Sequence, residues 1–585
     1  MTDHTDSEAV ALITSAGGPV VSARTNMPMR LNEAVRVGPD FLLGEIVKLN
    51  GSELVVQVYE DTSGLRPGDW LLGTGGPLSA QLGPGLLGGV FDGLLRPLTA
   101  DKLFIRRGTH KPPPQKFYFE PLLGSGSEVE GGERLGRIVV EHKPDQFILI
   151  PPELAGTVES IVESAIFTDD ECICRLCATD GRVHKIKMTH RWPVRAPRPI
   201  RERLEPSTPL ITGQRIIDTF FPVARGGRAG MPGGFGTGKT ILQQSIAKCC
   251  DADVIIYVGC GERGNEMTEV LKEFPELIDP RTGRKLIERS VVIANTSDMP
   301  VAAREASIYT GVTVAEYFRD QGFDVAMMAD STSRWAEALR EISGRLGELP
   351  AEGGYPAYLG SRQAEFYERA GHVKTLNGEQ GSVTLIGAVS PPGGDFSEPV
   401  TLYTERNVSC YWPLDRDRAR ARFYPAINPL QAYSDDVADL AVWWSREHYP
   451  DYVRDRRKLI TLLQDQARLQ RMARIVGKDA LPPEQQLILI CAELVDEGFL
   501  RQNALSAKDA YSSPQRQAIM LQLMSRFVDA AQRSLAQGVK VPDIASLPIL
   551  RKLKRLGEDI GDDEIEKFEV LEKELDDAFG QLEVK

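Results

Sequence analysis

Long apolar runs are missing from this chain. No stretch reaches about 18 apolar residues without a charge, so the sequence predicts no transmembrane helix. Residues 1–11 carry acidic side chains and no apolar core, and we therefore expect no secretory signal. Eight cysteines in 585 residues are too few for a disulfide framework, which favours a reducing, cytoplasmic setting.

Positive charge is also scarce. Lys and Arg number 69 against 82 Asp and Glu, which gives a net charge of −13. This balance argues against a general nucleic-acid binder and against adhesion to anionic lipid by charge alone. Apolar residues make up 42% of the chain and charged residues 26%, as in ordinary globular proteins, and the length predicts about four domains.

The N-terminal part is rich in short strand-like segments. Residues 1–75 alternate apolar runs with turns, and Asn50-Gly51 between two such runs indicates a hairpin, so we predict a small β-barrel. The barrel could contact neighbouring subunits in a ring, or its only role could be to stabilise the chain. Residues 76–111 are rich in Gly, Pro and Leu and are predicted to be a connector of loops that packs on the central domain.

Proline-rich runs delimit residues 112–195, which we interpret as a β-rich inserted domain with strands near 147–150 and 182–187. Three cysteines lie inside it, at Cys172, Cys174 and Cys177. Cysteine is a usual zinc ligand, so a metal site is one interpretation. The spacing C-x-C-x-x-C is not a common zinc pattern, however, and three half-buried side chains on strands are favoured.

Helices and apolar strands alternate in residues 196–434. The sequence predicts strands at 254–258, 291–294 and 325–329, and helices at 240–250, 264–273 and 302–319. This order indicates a parallel sheet with helices on both faces and a ligand at the carboxyl ends of the strands.

Residues 435–585 are predicted to form a helical domain, with helices at 454–476, 483–496 and 513–535. A final helix is indicated by apolar side chains at helical spacing: Ile565, Phe568, Leu571, Leu575 and Phe579. Its other face is acidic, which is typical of a solvated surface.

One motif organises the central domain. It is the run Gly233-Gly234-Phe235-Gly236-Thr237-Gly238-Lys239-Thr240, which matches the phosphate-binding pattern G-x-x-x-x-G-K-[ST]. Glycines let the backbone turn its N–H groups onto phosphate oxygens. Lys239 is expected to reach the β- and γ-phosphates, and Thr240 to hold Mg²⁺ through its hydroxyl. A Gly-rich surface turn is the alternative interpretation.

Two carboxylates follow predicted strands of the same sheet. Asp330 ends the run that begins at Asp324, where it is expected to face Mg²⁺, although a strand-end Asp can also cap a turn. Glu262 follows the strand at 254–258 and is a candidate to orient and polarise the attacking water. Arg263 could stabilise charge on the transferring phosphoryl group. The alternative for Glu262 is that it caps a helix.

With these motifs, the chain resembles the catalytic A subunit of the V-type/A-type rotary ATPases, in a prokaryotic form. The resemblance rests on the phosphate loop, on Pro425-Ala426-Ile427-Asn428 and on four longer runs, which begin at Gly261, Asn295, Met328 and Gly354. Together with 83–97 and 190–199, it covers nearly the whole chain. It implies a multidomain fold: an N-terminal β-barrel, a β-rich bulge domain, a RecA-like P-loop α/β domain with a parallel sheet, and a C-terminal helical bundle.

The resemblance also implies partners and cofactors. ATP or ADP with Mg²⁺ would bind at interfaces in a ring of three A and three B subunits, and a B subunit would supply an arginine finger. The ring would surround a central shaft, contact a peripheral stator, and couple indirectly to a membrane rotor that carries H⁺ or Na⁺. This places the chain in the cytoplasm, as part of a soluble sector on the cytoplasmic face of a membrane.

Further residue roles come from the resemblance. It makes Glu262 the water-activating carboxylate, and it places Tyr424 where an aromatic ring packs on adenine, although Tyr424 could instead be a core residue. The break at 477–482 resembles the turn that faces the shaft. Thr237 stands where some relatives have a cysteine, so a thiol switch is not expected there. Leu505 replaces a frequent aromatic residue, which leaves a second adenine contact open.

Two other classes of protein remain as alternatives. A non-catalytic, nucleotide-binding ring member would be expected to lack Lys239 or Glu262, and both are present. A hexameric helicase or secretion ATPase could share the core, but the insertion at 112–195 and the long helical C-terminus disfavour it.

Overall fold

The computed structural model describes residues 10–98, 107–108, 113–141, 143–447, 449–477 and 480–583. The chain divides into two units. The first consists of Met1–Leu204, Ala252–Ser390 and Ser397–Asn407, and the second of Glu205–Asp251, Pro391–Phe396 and Val408–Lys585.

In chain order, the strands are β1 (Val10–Gly17), β2 (Val20–Thr25), β3 (Glu33–Val37), β4 (Leu42–Asn50), β5 (Glu53–Val58), β6 (Trp70–Pro77), β7 (Ser79–Leu82), β8 (Val90–Phe91), β9 (Lys116–Pro121), β10 (Glu128–Val129), β11 (Arg134–Val139), β12 (Gln146–Leu149), β13 (Gly156–Ile161), β14 (Ala165–Thr168), β15 (Cys172–Ala178), β16 (Val183–Lys187), β17 (His190–Pro193), β18 (Glu202–Arg203), β19 (Arg228–Pro232), β20 (Val254–Glu262), β21 (Ser290–Thr296), β22 (Asp324–Asp330), β23 (Gly371–Lys374), β24 (Gln380–Val389), β25 (Cys410–Tyr411) and β26 (Tyr433–Ser434).

The α-helices are α1 (Lys239–Cys249), α2 (Gly264–Glu273), α3 (Val301–Arg319), α4 (Thr332–Arg345), α5 (Leu359–Tyr367), α6 (Pro399–Asn407), α7 (Arg416–Arg420), α8 (Val437–Arg446), α9 (Tyr452–Val476), α10 (Pro483–Val495), α11 (Pro514–Ala536), α12 (Val541–Ala545), α13 (Pro548–Lys554), α14 (Leu556–Asp559) and α15 (Glu566–Glu583).

The first unit begins with a closed six-stranded barrel, in the order β1-β2-β5-β4-β3-β6, which confirms the prediction for this segment. Its core is formed by inward-facing side chains such as Val21, Val35 and Val56, each fully buried. β4 and β5 form the expected hairpin, in which Asn50 pairs with Glu53. Gly51 takes the positive φ of 60° that this tight turn needs.

The inserted domain is built from two antiparallel four-stranded sheets, β10-β13-β15-β16 and β12-β11-β9-β14. Side chains from both sheets share one core, which includes Phe119 and Ile148 from one sheet and Leu176 and Ile186 from the other. The two strands predicted near 147–150 and 182–187 correspond to β12 and β16. The domain is therefore a β-sandwich whose strands alternate inward and outward residues.

The three cysteines of this domain lie on β15, but they are not equally half-buried as predicted. Cys172 is exposed, Cys174 is buried and Cys177 is intermediate, because a bulge between Cys172 and Cys174 interrupts the alternation. Across the described ranges, no group of three or more His, Cys, Asp or Glu side chains is arranged to hold a metal ion.

The prediction that residues 76–111 form a connector of loops was wrong in part, and its residues 99–106 and 109–111 lie outside the described ranges. β6 extends to Pro77, β7 pairs with β17, and β8 adds a parallel strand beside β21. The strands are only two to eight residues long, and glycines and prolines surround them, so their apolar periodicity is too short to recognise in the sequence.

A parallel sheet with the order β24-β22-β20-β21-β8 is the centre of the first unit. Its inner strands are continuous apolar runs and are buried, as predicted for a parallel sheet. α3 packs against four of these strands and is buried along nearly its whole length. Gly311 permits this approach, because a Cβ there would lie 2.5 Å from Cγ2 of Val258.

The second unit contains β19, which pairs in parallel with β25, and β25 pairs antiparallel with β26. The C-terminal helices follow, and α9, α10, α11 and α15 agree with the predicted helices to within a few residues. Phe568, Leu571, Leu575 and Phe579 of the last helix are buried, as its periodicity predicted. The predicted turn at 477–482 lies partly outside the described residues, which omit Lys478 and Asp479.

Within the ranges given above, none of the helices combines the length and the apolar character that crossing a bilayer requires.

Candidate functional site

The glycine-rich motif is a loop between β19 and α1 in the second unit. β19 ends at Pro232, and α1 begins at Lys239. Gly236 and Gly238 have positive φ angles of 75° and 86°, which glycine adopts without strain. The first N–H groups of a helix have no partner within the helix, so the start of α1 offers donors and a partial positive charge to an anion.

Lys239 folds back over this loop. Its Nζ donates hydrogen bonds to the carbonyl oxygens of Gly233 and Gly234, at 2.7 and 3.0 Å. The hydroxyl of Thr237 also donates to Gly234 O, at 2.8 Å. A Cβ on Gly233 would lie 2.6 Å from Oγ1 of Thr237 and 2.9 Å from Cβ of Leu414, so the loop needs glycine there for steric reasons. The loop therefore holds the ammonium group of Lys239 close to the N-terminus of α1.

Tyr424 lies half-buried against α1. Its hydroxyl donates to Oγ of Ser245 at 2.9 Å, a partner that no sequence motif indicated. Burial raises the pKa of Tyr424, so the phenol stays neutral at physiological pH. Leu505, which replaces the aromatic residue expected to make a second contact with adenine, is 96% exposed.

The two predicted carboxylates are the last residues of neighbouring parallel strands in the first unit. Glu262 ends β20 and Asp330 ends β22, and Gly259 pairs with Asp330 in the register of these strands. The carboxyl ends of parallel strands meet at one edge of a sheet, so both side chains lie at the same edge. Asp330 is only 2% exposed, and the hydroxyl of Tyr257 donates to its Oδ2 at 3.4 Å.

Glu262 is held in an environment that favours its protonated form. Burial, followed by the charge of Asp330 and a hydrogen bond to Glu266, raises the pKa of Glu262 to about 8, while Arg334 acts in the opposite direction. Burial and the two neighbouring acidic side chains thus act together to favour the protonated form of Glu262.

Arg263 directly precedes α2 and is exposed. Its guanidinium lies 3.9 Å from a carboxylate oxygen of Glu266, a loose contact at the surface. Arg263 is thus next to Glu262 in the chain, and both side chains have Glu266 as an acidic neighbour.

Sequence reasoning missed Glu266 and Arg334 as neighbours of Glu262. Glu266 follows Glu262 by four residues, and Arg334 follows Asp330 by four residues at the start of α4. These spacings were visible in the sequence, but their significance depends on α2 and α4 both starting at the same edge of the sheet.

Four family models match the chain. They are the ATP synthase alpha/beta family beta-barrel domain at 13–75, the ATPsynthase alpha/beta subunit barrel-sandwich domain at 112–195, the ATP synthase alpha/beta family nucleotide-binding domain at 213–434, and the C-terminal domain of V and A type ATP synthase at 441–544.

Curated relatives match over nearly the full length. The A subunit of the A-type ATP synthase of Desulfurococcus sp. (strain SY) is 50% identical over 580 residues, covering 97% of this chain and 98% of the relative. The protein of the same name from Thermococcus kodakarensis is 50% identical over 578 residues, with the same coverage. The V-type ATP synthase alpha chain of Halothermothrix orenii is 46% identical over 582 residues, again with 97% and 98% covered.

A solved structure shares the fold. The ATPase EscN of the type III secretion system of enteropathogenic E. coli superposes with a TM-score of 0.65 and 22% identity, over 88% of this chain and all of that one. At this identity the likeness concerns the fold alone, and it does not favour the secretion-ATPase alternative.

The phosphate loop, the parallel sheet and these matches define the nucleotide-binding component of an ATP hydrolase/synthase. The chain belongs to the ATP synthase alpha/beta family, and within it to the group that contains the A subunits of A-type enzymes and the alpha chains of V-type enzymes. It is therefore of the catalytic, nucleotide-binding type of rotary ATPase subunit, which confirms the fold class and the family predicted from the sequence.

Proposed function

We propose that this chain binds the phosphates of ATP or ADP through residues 233–240. The observation that carries the proposal is the geometry of Lys239, whose ammonium lies over the loop at the N-terminus of α1 and is bonded to two loop carbonyls. Those carbonyl bonds are weaker than an ammonium–phosphate pair, so the β- and γ-phosphates replace them when a nucleotide binds. Gly233, Gly234, Phe235, Gly236, Thr237 and Gly238 supply the backbone around the phosphates.

Mg²⁺ accompanies the nucleotide in this proposal, held by the hydroxyl of Thr240 and by Asp330, directly or through water. The donor chemistry fits, because Mg²⁺ prefers hard oxygen ligands and both residues supply them. Asp330 is a buried carboxylate at a strand end, where a cation would lower the cost of its negative charge. When bound, the ion would neutralise charge on the phosphate oxygens.

Glu262 has the role of the carboxylate that orients the attacking water, and Arg263 that of a cation that stabilises charge on the phosphoryl group. For the base to accept a proton, Glu262 must first release its own to solvent. The ionised form of Glu262 is the active one in this proposal. Tyr424 packs its ring on the adenine, with the hydroxyl anchored on Ser245.

The assembly follows from the family resemblance. Three copies of this chain alternate with three B subunits, and each B subunit contributes an arginine finger to the catalytic site at its interface. Closure of the site is transmitted to a central shaft, while a peripheral stator holds the ring. The shaft is coupled to a membrane rotor that carries H⁺ or Na⁺, with the ring on the cytoplasmic face.

The test of this proposal is Glu262→Gln in the ATPase purified with its partner subunits. We expect ATP turnover to fall at least about 100-fold while nucleotide affinity changes less than about threefold, because the amide cannot act as a base but fills the same space.

Lys239→Ala should instead weaken nucleotide binding itself by about 10- to 100-fold, since a charge-assisted contact is lost. Phosphate release and fluorescent-nucleotide titration measure the two effects.

Glu269→Gln is the matched control, because Glu269 is an exposed carboxylate on α2. Its turnover should equal that of the parent. Normal turnover in Glu262→Gln would show that another residue orients the water, and unchanged affinity in Lys239→Ala would remove the phosphate role of the loop.

A further inference from the structure

Arg304 lies beneath the loop that carries Glu262. It is the fourth residue of α3 and is almost completely buried. Its Nη2 donates a hydrogen bond to the carbonyl oxygen of Ser297 at 2.8 Å. No sequence motif identified this arginine, which lies 42 residues after Glu262 in the chain.

The stem of Arg304 contacts the backbone next to Glu262. A Cβ on Gly261 would lie 2.8 Å from Cδ and 3.0 Å from Nε of Arg304, so this side chain packs directly on the Cα of Gly261. Gly261 also has a positive φ of 70°, which disfavours any larger residue. The Cβ of Arg334 would also lie 2.8 Å from the added atom, so Gly261 is restricted by its own conformation, by Arg304 and by Arg334.

A second route connects the guanidinium to Glu262 through Ser297. The backbone N–H of Ser297 donates to the carbonyl oxygen of Glu262 at 2.8 Å. Ser297 directly follows Thr296, which pairs with Glu262 in the sheet. Arg304, the carbonyl and N–H of Ser297, and the carbonyl of Glu262 thus form one continuous connection.

The start of α3 provides a rigid base for this connection. The neighbouring Glu305 accepts two hydrogen bonds from Arg195, at 2.8 and 2.7 Å, and the helix is packed on the sheet along its length. A side chain held by such an element keeps its geometry better than one on a surface loop. Arg304 therefore keeps the backbone at Glu262 in a defined position relative to α3.

We propose that Arg304 is a positioning residue that sets the direction of the Glu262 carboxylate through the backbone of Gly261, Glu262 and Ser297. The inference rests on the proposed role of Glu262 as the carboxylate that orients water. It assigns Arg304 no contact with the nucleotide. A small displacement of a base lowers the rate of the chemical step without changing substrate binding.

The experiment is Arg304→Met in the purified ATPase with its partner subunits. Methionine keeps the apolar stem on Gly261 and removes the guanidinium. We expect kcat to fall about 10- to 100-fold, with KM and nucleotide affinity changed less than about twofold. Arg304→Lys retains a donor for the carbonyl oxygen of Ser297, so it should recover at least about a third of the lost rate. This variant also tests the inference if Arg304→Met folds poorly.

The double variant Arg304→Met with Glu262→Gln separates positioning from a general structural role. If Arg304 acts through Glu262, the double variant should be no slower than Glu262→Gln alone. A multiplied loss would overturn the inference, as would a normal kcat in Arg304→Met. If Glu262→Gln itself turned over normally, the proposed function would fail instead, so the two failures are distinguishable.

Arg319→Met is the matched control at the other end of α3, about 22 Å away along the helix. Arg319 pairs with Asp320 and Glu316, but these acids keep Arg198 and Arg369 as partners when Arg319 is removed. This variant should lower the midpoint of thermal unfolding and leave kcat unchanged. An equal loss of kcat in both variants would show that Arg304 has only a structural role.

Discussion

At the scale of single residues, the acid–base state of Glu262 is decided by its neighbours. Burial, the charge of Asp330 and the bond to Glu266 all raise its pKa, to about 8, and Arg334 only partly offsets them. A general base is most effective when its pKa is near the working pH. The surroundings of Glu262 raise the free-energy cost of ionising it. They therefore also make its carboxylate a stronger base once it is ionised.

This environment predicts a pH dependence. Because Glu262 is active as a carboxylate, kcat/KM for ATP should rise with pH, with a midpoint near pH 8, and level off about one pH unit higher. Glu266→Gln removes a negative charge and a hydrogen-bond partner that both raise this pKa, so the midpoint of the rise should move to lower pH. The measurement is the pH profile of kcat/KM at constant ionic strength.

Glu269→Gln should keep the midpoint of the parent, because Glu269 is exposed and has no part in the raised pKa of Glu262. A midpoint that stays near pH 8 in Glu266→Gln would show that Glu266 does not set the protonation of Glu262.

At the scale of elements, α3 determines how the central sheet is packed. Its 19 residues contain small side chains at several positions, and Gly311 is the point of closest approach to the sheet. At that point the side chains of Val258 and Met327 occupy the space that a Cβ would need. The helix is thus held at a distance that a larger residue would not permit.

Gly311→Val should destabilise the first unit by about 1–3 kcal/mol, because overpacking forces shifts in α3 and in the strands beneath it. The midpoint of thermal unfolding measures this effect. Gly344→Ala in α4 is the control, since no atom lies within 4 Å of the added Cβ, and alanine favours a helix over glycine by about 0.5–1 kcal/mol. Equal unfolding midpoints for Gly311→Val and the parent would contradict the close approach.

At the scale of the molecule, a buried ion-pair network connects segments of the first unit that are far apart in the chain. Arg195, after the inserted domain, bonds to Glu305 of α3 and to Glu45 of the barrel, at 2.7 and 3.3 Å. Tyr59, also in the barrel segment, donates to Glu45 at 2.5 Å. One guanidinium thereby joins the barrel, the segment that follows the inserted domain and the start of α3, which also carries Arg304.

Removing this guanidinium should be costly. Arg195→Met leaves two mostly buried carboxylates without their cation, and breaking such a group by removing one partner costs about 3–5 kcal/mol. We expect a clearly lower midpoint of thermal unfolding. Arg24→Met is the control, because its pair with Glu53 is 63% exposed on both sides and is worth less than about 1 kcal/mol. Similar midpoints for the two variants would show that the network adds little stability.

The amino-acid sequence was enough to predict the phosphate loop, the strand-end carboxylates Glu262 and Asp330, the main helices and strands, and the family. These features are local: the loop is eight consecutive residues, and the periodicity of a strand or helix is readable within a dozen residues. Only the folded chain reveals the neighbours that raise the pKa of Glu262, the short strands β7 and β8, and the contacts of Arg195 and Arg304. Such contacts join residues about 40 to 200 positions apart, or depend on where two helices begin at one sheet edge. No local sequence pattern encodes which distant residue will form them.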